Sequence, residues 1–187
     1  ATDGRLPVIK SEFAQVLTAR AYTAPQVALI AAAQTPKHGL ATALAYAAGL
    51  RAHELLTLRR GEERAADPRP ALASKWQGRD GVIYTVHGKG GLVREVLLPH
   101  ALAERLEAVR LDAPLAITDR GIHYQSHYDI GGGQRWSNSV SAASERALGW
   151  STGAHGLRHS YAQERMAELQ ASLSRDAALT TVSQEMG

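Results

Sequence analysis

GVIYTVHGKGGLVREVLLP, Gly81–Pro99, decides the class of fold. Two runs rich in Val, Ile, Thr and Leu flank a glycine-laden turn, and β-branched residues either side of such a turn read as an antiparallel hairpin. Pro99 closes the second run, since proline cannot continue a ladder. HGKGG at the tip is not a nucleotide-binding P-loop. The upstream glycine spacing is wrong, no Ser or Thr follows Lys89, and strand rather than helix comes next.

On both sides of the hairpin the pattern turns helical. Upstream, Ser11 is placed to cap EFAQVLTARA (Glu12–Ala21), and Pro25 sits in the first turn of PQVALIAAA. A third helix runs through GLATALAYAAGL, is interrupted at Gly49, and resumes in RAHELLTLRR (Arg51–Arg60) on the spacing of Leu55, Leu56 and Leu58. Arg60–Asp80, mixed in charge and rich in Pro and Gly, reads as a loop. Downstream, HALAERLEAVRL (His100–Leu111) is amphipathic. Asp112–Trp136 is the least regular stretch, with Gly131, Gly132 and Gly133 as a flexible joint. Ser137 is placed to cap NSVSAASERALG. A helix runs from about Gly156 to Leu169, and DAALTTVSQEMG is a short final one. The expected class is mainly α with a small antiparallel β-sheet, α+β.

The chain has 187 residues, no cysteine and a net charge of +3. It is long enough for one domain with a real core. Without thiols there is no disulfide framework, thiolate metal site or thiol nucleophile. No apolar run is long enough to span a bilayer, so no membrane partner is expected. Lys10, Lys37, Lys75 and Lys89 are the only lysines; every other basic residue is arginine, whose planar fork suits phosphate.

Three short motifs stand apart: AGLRAHEL with Arg51 and Glu54, HGKGG with Lys89, and HGLRHSYA with His155, Arg158 and His159. Together they suit phosphoryl transfer. Two arginines can clamp non-bridging oxygens as charge builds on them. A lysine on a hairpin can protonate a leaving alkoxide, and a histidine can move a proton or hold the phosphate. With guanidinium groups in the electrostatic role of magnesium, neither metal nor cofactor is required. His123 and His127 lie four apart but lack the carboxylate motif of a zinc protease. His87 reads as a strand-end surface residue, and Trp136 and Trp150 as packing anchors.

In this order the three motifs resemble the landmarks of the tyrosine recombinase (phage integrase) catalytic domain, over nearly the whole chain from about Ser11. The resemblance implies Arg51, Lys89, His155 and Arg158 as catalytic groups, with Glu54 and His159 in support. It implies double-stranded DNA as substrate and site-specific recombination or integration through a 3′-phosphotyrosyl intermediate. It also implies a homotetramer on paired sites, in the bacterial cytoplasm, for a prophage or another mobile element. VSQEMG, Val182–Gly187, is similar to the family helix that precedes a second His or Trp. The nucleophilic tyrosine is thus expected beyond Gly187, and the chain alone is expected to be monomeric and catalytically incomplete. Residues 1–10 are expected to be a lead from an N-terminal DNA-clamping domain, and 11–187 the catalytic domain. Two alternatives use the same residues: a non-catalytic DNA-binding accessory protein, and a type IB topoisomerase-like enzyme.

Overall fold

The computed structural model describes residues 20–187. The lead 1–10, and the helix expected at Glu12–Ala21 with its Ser11 cap, fall outside these residues, save for Arg20 and Ala21, which are not helical. The first described helix, α1 (Ala24–Ala32), starts at a reciprocal Thr23–Gln26 capping box with Pro25 in its first turn. Helix α2 (Pro36–Ala48) ends at Gly49, whose φ of 65° closes it in a left-handed turn.

The hairpin forms as the sequence implies. Strand β2 (Val82–His87) pairs antiparallel with β3 (Val93–Leu98), from Val82 opposite Leu98 to His87 opposite Val93. A third strand, β1 (Arg59–Arg60), adds to β2 through Arg59–Thr85 and Arg60–Tyr84. The remaining elements are α3 (His100–Glu107), strands β4 (Arg110–Asp119) and β5 (Ile122–Tyr128), then α4 (Gly133–Leu148), α5 (His155–Leu169) and α6 (Arg175–Met186). The described residues therefore form an α+β structure of six α-helices and two antiparallel sheets.

Five expectations are corrected. Helical structure does not resume after Gly49: Arg51–Arg60 contains a 3-10 turn over Glu54–Thr57 and then β1. Leu55, Leu56 and Leu58 are all buried there, so their spacing reflects a tight turn driven into the core. The helix begun at His100 stops at Glu107, because the chain enters β4 at Arg110. Within the irregular stretch lies the β4–β5 hairpin, turned by Arg120 (φ 48°) and Gly121 (φ 76°) between Asp119 and Ile122. Positive φ at both central residues is the turn geometry that matches strand twist. Finally, the three glycines are packed rather than a flexible joint. The Gly131 N–H donates to the Lys37 carbonyl at 3.0 Å and the Gly133 N–H to that of Ala52 at 2.8 Å. A Cβ at Gly131 would lie 2.2 Å from the His38 ring. Helix α4 accordingly begins at Gly133, with Gly132 rather than Ser137 as its N-cap.

A large apolar core gathers α1, α2, the β2–β3 pair, α3 and α4 around Leu44, Leu98, Leu106 and Trp136. A second cluster joins Tyr161, Met166 and Leu169 of α5 to Val182 and Met186 of α6. Leu157, one turn earlier on α5, belongs to the first core. Helix α5 thus bridges both clusters and holds its first turn rigidly. No described helix is long and apolar enough to cross a membrane.

Candidate phosphate-binding site

The left-handed turn at Gly49 directs Leu50 into the core, where it is 1% exposed, and brings Arg51 out at the C-terminal end of α2. The Arg51 N–H donates to Glu54 Oε1 at 2.8 Å, and its guanidinium lies 3.6 Å from Glu54 Oε2. Arg51 Nη1 is buried without a hydrogen-bond partner among the described residues. Glu54 is fully buried and held chiefly by Arg94, whose Nε and Nη2 each donate to its carboxylate at 2.8 Å. Burial pushes this carboxyl up. The hydrogen bonds and charge of Arg94, the Arg51 N–H and the charge of Arg158 more than offset that, leaving it below its ordinary value. Glu54 thus touches Arg51 but is first the anionic centre of a buried pair with Arg94.

Arg158 comes from the first turns of α5 and is 8% exposed. Its Nη1 donates to the Gly49 carbonyl, tying the two helices together where the motifs meet. His155 opens the helix and is exposed, while His159 behind it is buried. Gly156 between them allows close approach: a Cβ there would fall 2.4 Å from both the Tyr22 ring and Thr152 Oγ1. Tyr22 is fixed in turn, its N–H donating to Ser160 Oγ at 2.9 Å and its ring stacked on Trp150 at 5.3 Å. Trp150 and the buried Trp136 are packing residues, as the sequence suggests.

Arg51, His155 and Arg158 line one cavity of about 320 Å³. His53 and Arg120 complete its basic wall, and Ser137 and Thr152 add hydroxyls. Among the described residues no carboxylate lines it. Lys89 is not there. It sits exposed on the β2–β3 turn and lines an adjoining cavity of about 650 Å³, which shares His53 and Arg120 with the first. Three of the four expected groups therefore converge, and the fourth stands next door.

Tyr161 is 3% exposed and donates its hydroxyl to Glu185 Oε1 at 2.6 Å. Burial and then the Glu185 charge push its phenol well above the ordinary value, as suits a packed donor rather than a nucleophile. None of the chain's tyrosines lines the arginine cavity. His123 shares a 2.8 Å hydrogen bond with Thr118 Oγ1. Among the described residues no three His, Asp or Glu are grouped to hold a metal. His87 is exposed at the strand end, as expected, and lines the larger cavity.

Sequence reasoning missed Arg94 and Arg120. Arg94 carried a signal, since strict alternation along β3 puts it on the buried face with Val96 and Leu98. Arg120 carried none until the hairpin that projects it was known. The arrangement can hold a monoanionic phosphodiester between guanidinium groups and stabilise charge gathering on its oxygens. No protein-family model matches the chain, and no curated protein sequence does.

Proposed function

We propose that the chain is the phosphate-holding part of a tyrosine-recombinase-type catalytic domain, acting on double-stranded DNA in site-specific recombination or integration. The observation that carries this reading is the convergence of Arg51, His155 and Arg158, distant in sequence, on one cavity that no carboxylate lines among the described residues. Arg51 and Arg158 grip the two non-bridging oxygens of a backbone phosphodiester, and His155 hydrogen-bonds the same group. In the cleavage step a tyrosine hydroxyl attacks phosphorus and releases its proton to solvent water. The bond from phosphorus to the 5′ oxygen breaks, leaving a 3′-phosphotyrosyl ester and a 5′-hydroxyl. Lys89, carried past the shared Arg120 and His53 by its glycine turn, supplies the proton to that oxygen. The attacking tyrosine comes from outside the residues lining the cavity. By the same reading the working assembly is a homotetramer on DNA in the bacterial cytoplasm, serving a mobile element, and this chain alone is monomeric.

Fluorescence anisotropy on a labelled duplex across a salt series tests the grip. The chain should bind duplex with a steep salt dependence. Arg51→Ala and Arg158→Ala should each weaken binding about tenfold and lower the salt slope by about one. Binding unaffected by either substitution removes the cavity from the interface.

The absence of a tyrosine from the cavity lining favours a second reading, DNA binding without cleavage. A nicked suicide duplex separates the two. A tyrosine supplied in the assembled recombinase gives a covalent adduct that needs Arg158. An accessory protein gives none in any assembly.

A further inference from the structure

We propose that the larger cavity beside the arginine site is a second phosphate subsite, taking the backbone phosphate next to the one held by Arg51 and Arg158. The assignment rests on the reading of the first site given above. Arg59 of β1, Arg64 of the turn that follows it, Lys89 of the β2–β3 turn and Arg120 of the β4–β5 turn line this cavity. Four separate elements thus bring cations to the wall of about 650 Å³, though the Arg64 guanidinium is held by Thr85 Oγ1 at 3.0 Å and by the Thr57 and Thr85 carbonyls. Asp119 is the one carboxylate among the lining residues, and it is engaged. It accepts the Gln134 N–H at 2.9 Å and pairs with Arg120 at 3.4 Å. Arg120 is thus paired within the cavity, whereas Lys89 is exposed on its wall, and the lining cations outnumber the lining carboxylate.

Arg59 sharpens the case. Its Nη2 reaches Glu63 at 3.4 Å, but its Nε is buried without a hydrogen-bond partner among the described residues. A buried guanidinium N–H left unmade is costly, and an anion entering the cavity would satisfy it. Arg120 and His53 border both cavities, so one guanidinium stands between the two sites. Consecutive phosphates of one strand, held as neighbours by the sugar between them, fit that relation.

His53, His87, His123 and His127 add imidazoles to the wall. Burial first, then the charges of Arg59, Arg110 and Arg64 against that of Glu63, hold His127 below its ordinary value. Burial and Arg64, opposed by Asp67, do the same to His87. His123 faces Thr118 at its ring nitrogen, with Asp119, Arg120 and Lys89 on the same cavity wall. A bound phosphate opposes the field at His87 and His127 and draws protons onto those two rings, so its binding strengthens as pH falls.

The test uses the full chain and a labelled 20-base-pair duplex, about two helical turns, at pH 5.5 and pH 8 and fixed ionic strength. The expected result is a gain in affinity of about fivefold or more at pH 5.5, from added positive charge on phosphate contacts. His87→Gln with His127→Gln should remove most of that gain, with unchanged circular dichroism and melting at pH 8. Arg158→Ala should bind more weakly throughout yet keep the gain. If Arg158→Ala binds like the parent while the double variant still loses the gain, the first site fails and the second stands. A double variant that keeps the full gain overturns the subsite, as does a parent chain that binds no duplex at either pH. Inorganic phosphate at constant ionic strength separates the two sources of the anion. Persistence of the duplex supports a backbone site; displacement confined to pH 5.5 identifies a small free phosphate and overturns the DNA assignment.

Discussion

Arg94 lies on the core face of a strand, 5% exposed, where a leucine would be the ordinary choice. It is there because Glu54, which holds Arg51, has no exposed surface, and a buried carboxylate needs a partner. The third nitrogen of Arg94 donates to the Glu185 carbonyl at 2.9 Å, so the pair is also linked to α6. Removing one member of such a pair strands a charge. Arg94→Leu should therefore cost about 3–5 kcal/mol in urea unfolding, and Arg94→Leu with Glu54→Leu should recover most of it. A single substitution costing under about 1 kcal/mol would show that Glu54 does not depend on Arg94. The site residues themselves were largely legible in the sequence. Arg51, His155 and Arg158 sit in short motifs with glycines at the close contacts. Lys89 was legible only as a turn lysine, because its distance from the arginines depends on how the hairpin leans, and no local pattern encodes that.

At the scale of elements, two glycines show how turns aim the site. Gly49 has a φ of 65°, and a Cβ there would meet the Tyr161 ring at 3.1 Å. Gly121 has a φ of 76° with open space around it. Gly121→Ala should cost about 1–2 kcal/mol, the strain of the left-handed backbone alone. Gly49→Ala should cost more and also weaken duplex binding, because Arg51 and the carbonyl that holds Arg158 both hang from that turn. Thermal melts and anisotropy of the two variants check this, and equal losses would deny the clash. The β2–β3 hairpin was readable because both strands are apolar around a glycine turn. The β4–β5 hairpin was not. Most of β4 is exposed, so no buried face imposes alternation, and a bulge between Arg110 and Leu115 breaks the register. Leucine spacing misled at Arg51–Arg60 for the opposite reason: every leucine there is buried, whatever the local geometry.

Across the whole molecule, charge is sorted. Arginines and histidines gather around the two adjoining cavities, while Glu62, Glu95, Glu104 and Glu107, with Arg60 and His100, line a third of about 850 Å³ beside β2 and α3. Glu107 there accepts from Arg60 at 2.9 and 2.6 Å, from Tyr84 at 2.6 Å and from Tyr128 at 2.9 Å. The Arg60 hydrogen bonds lead in pulling its carboxyl down to about 2, against burial. The stabilisation this gives is present above the ordinary carboxylate range and is lost as pH falls from about 4.5 towards 2. Melting temperature should drop over that window, and Glu107→Gln should melt lower at neutral pH with a shallower acid limb. Parallel acid limbs for the two proteins would assign the loss to other carboxylates, such as Glu63, which Arg110 also holds at about 2.

The most direct measurement for the phosphate cavity is anomalous diffraction from crystals of this chain soaked in tungstate, a heavy tetrahedral oxyanion that stands in for phosphate. A peak within hydrogen-bonding reach of Arg51, His155 and Arg158 together is the predicted result. Tungstate bound elsewhere on the protein, with those three side chains accessible and the cavity between them empty, would contradict the account.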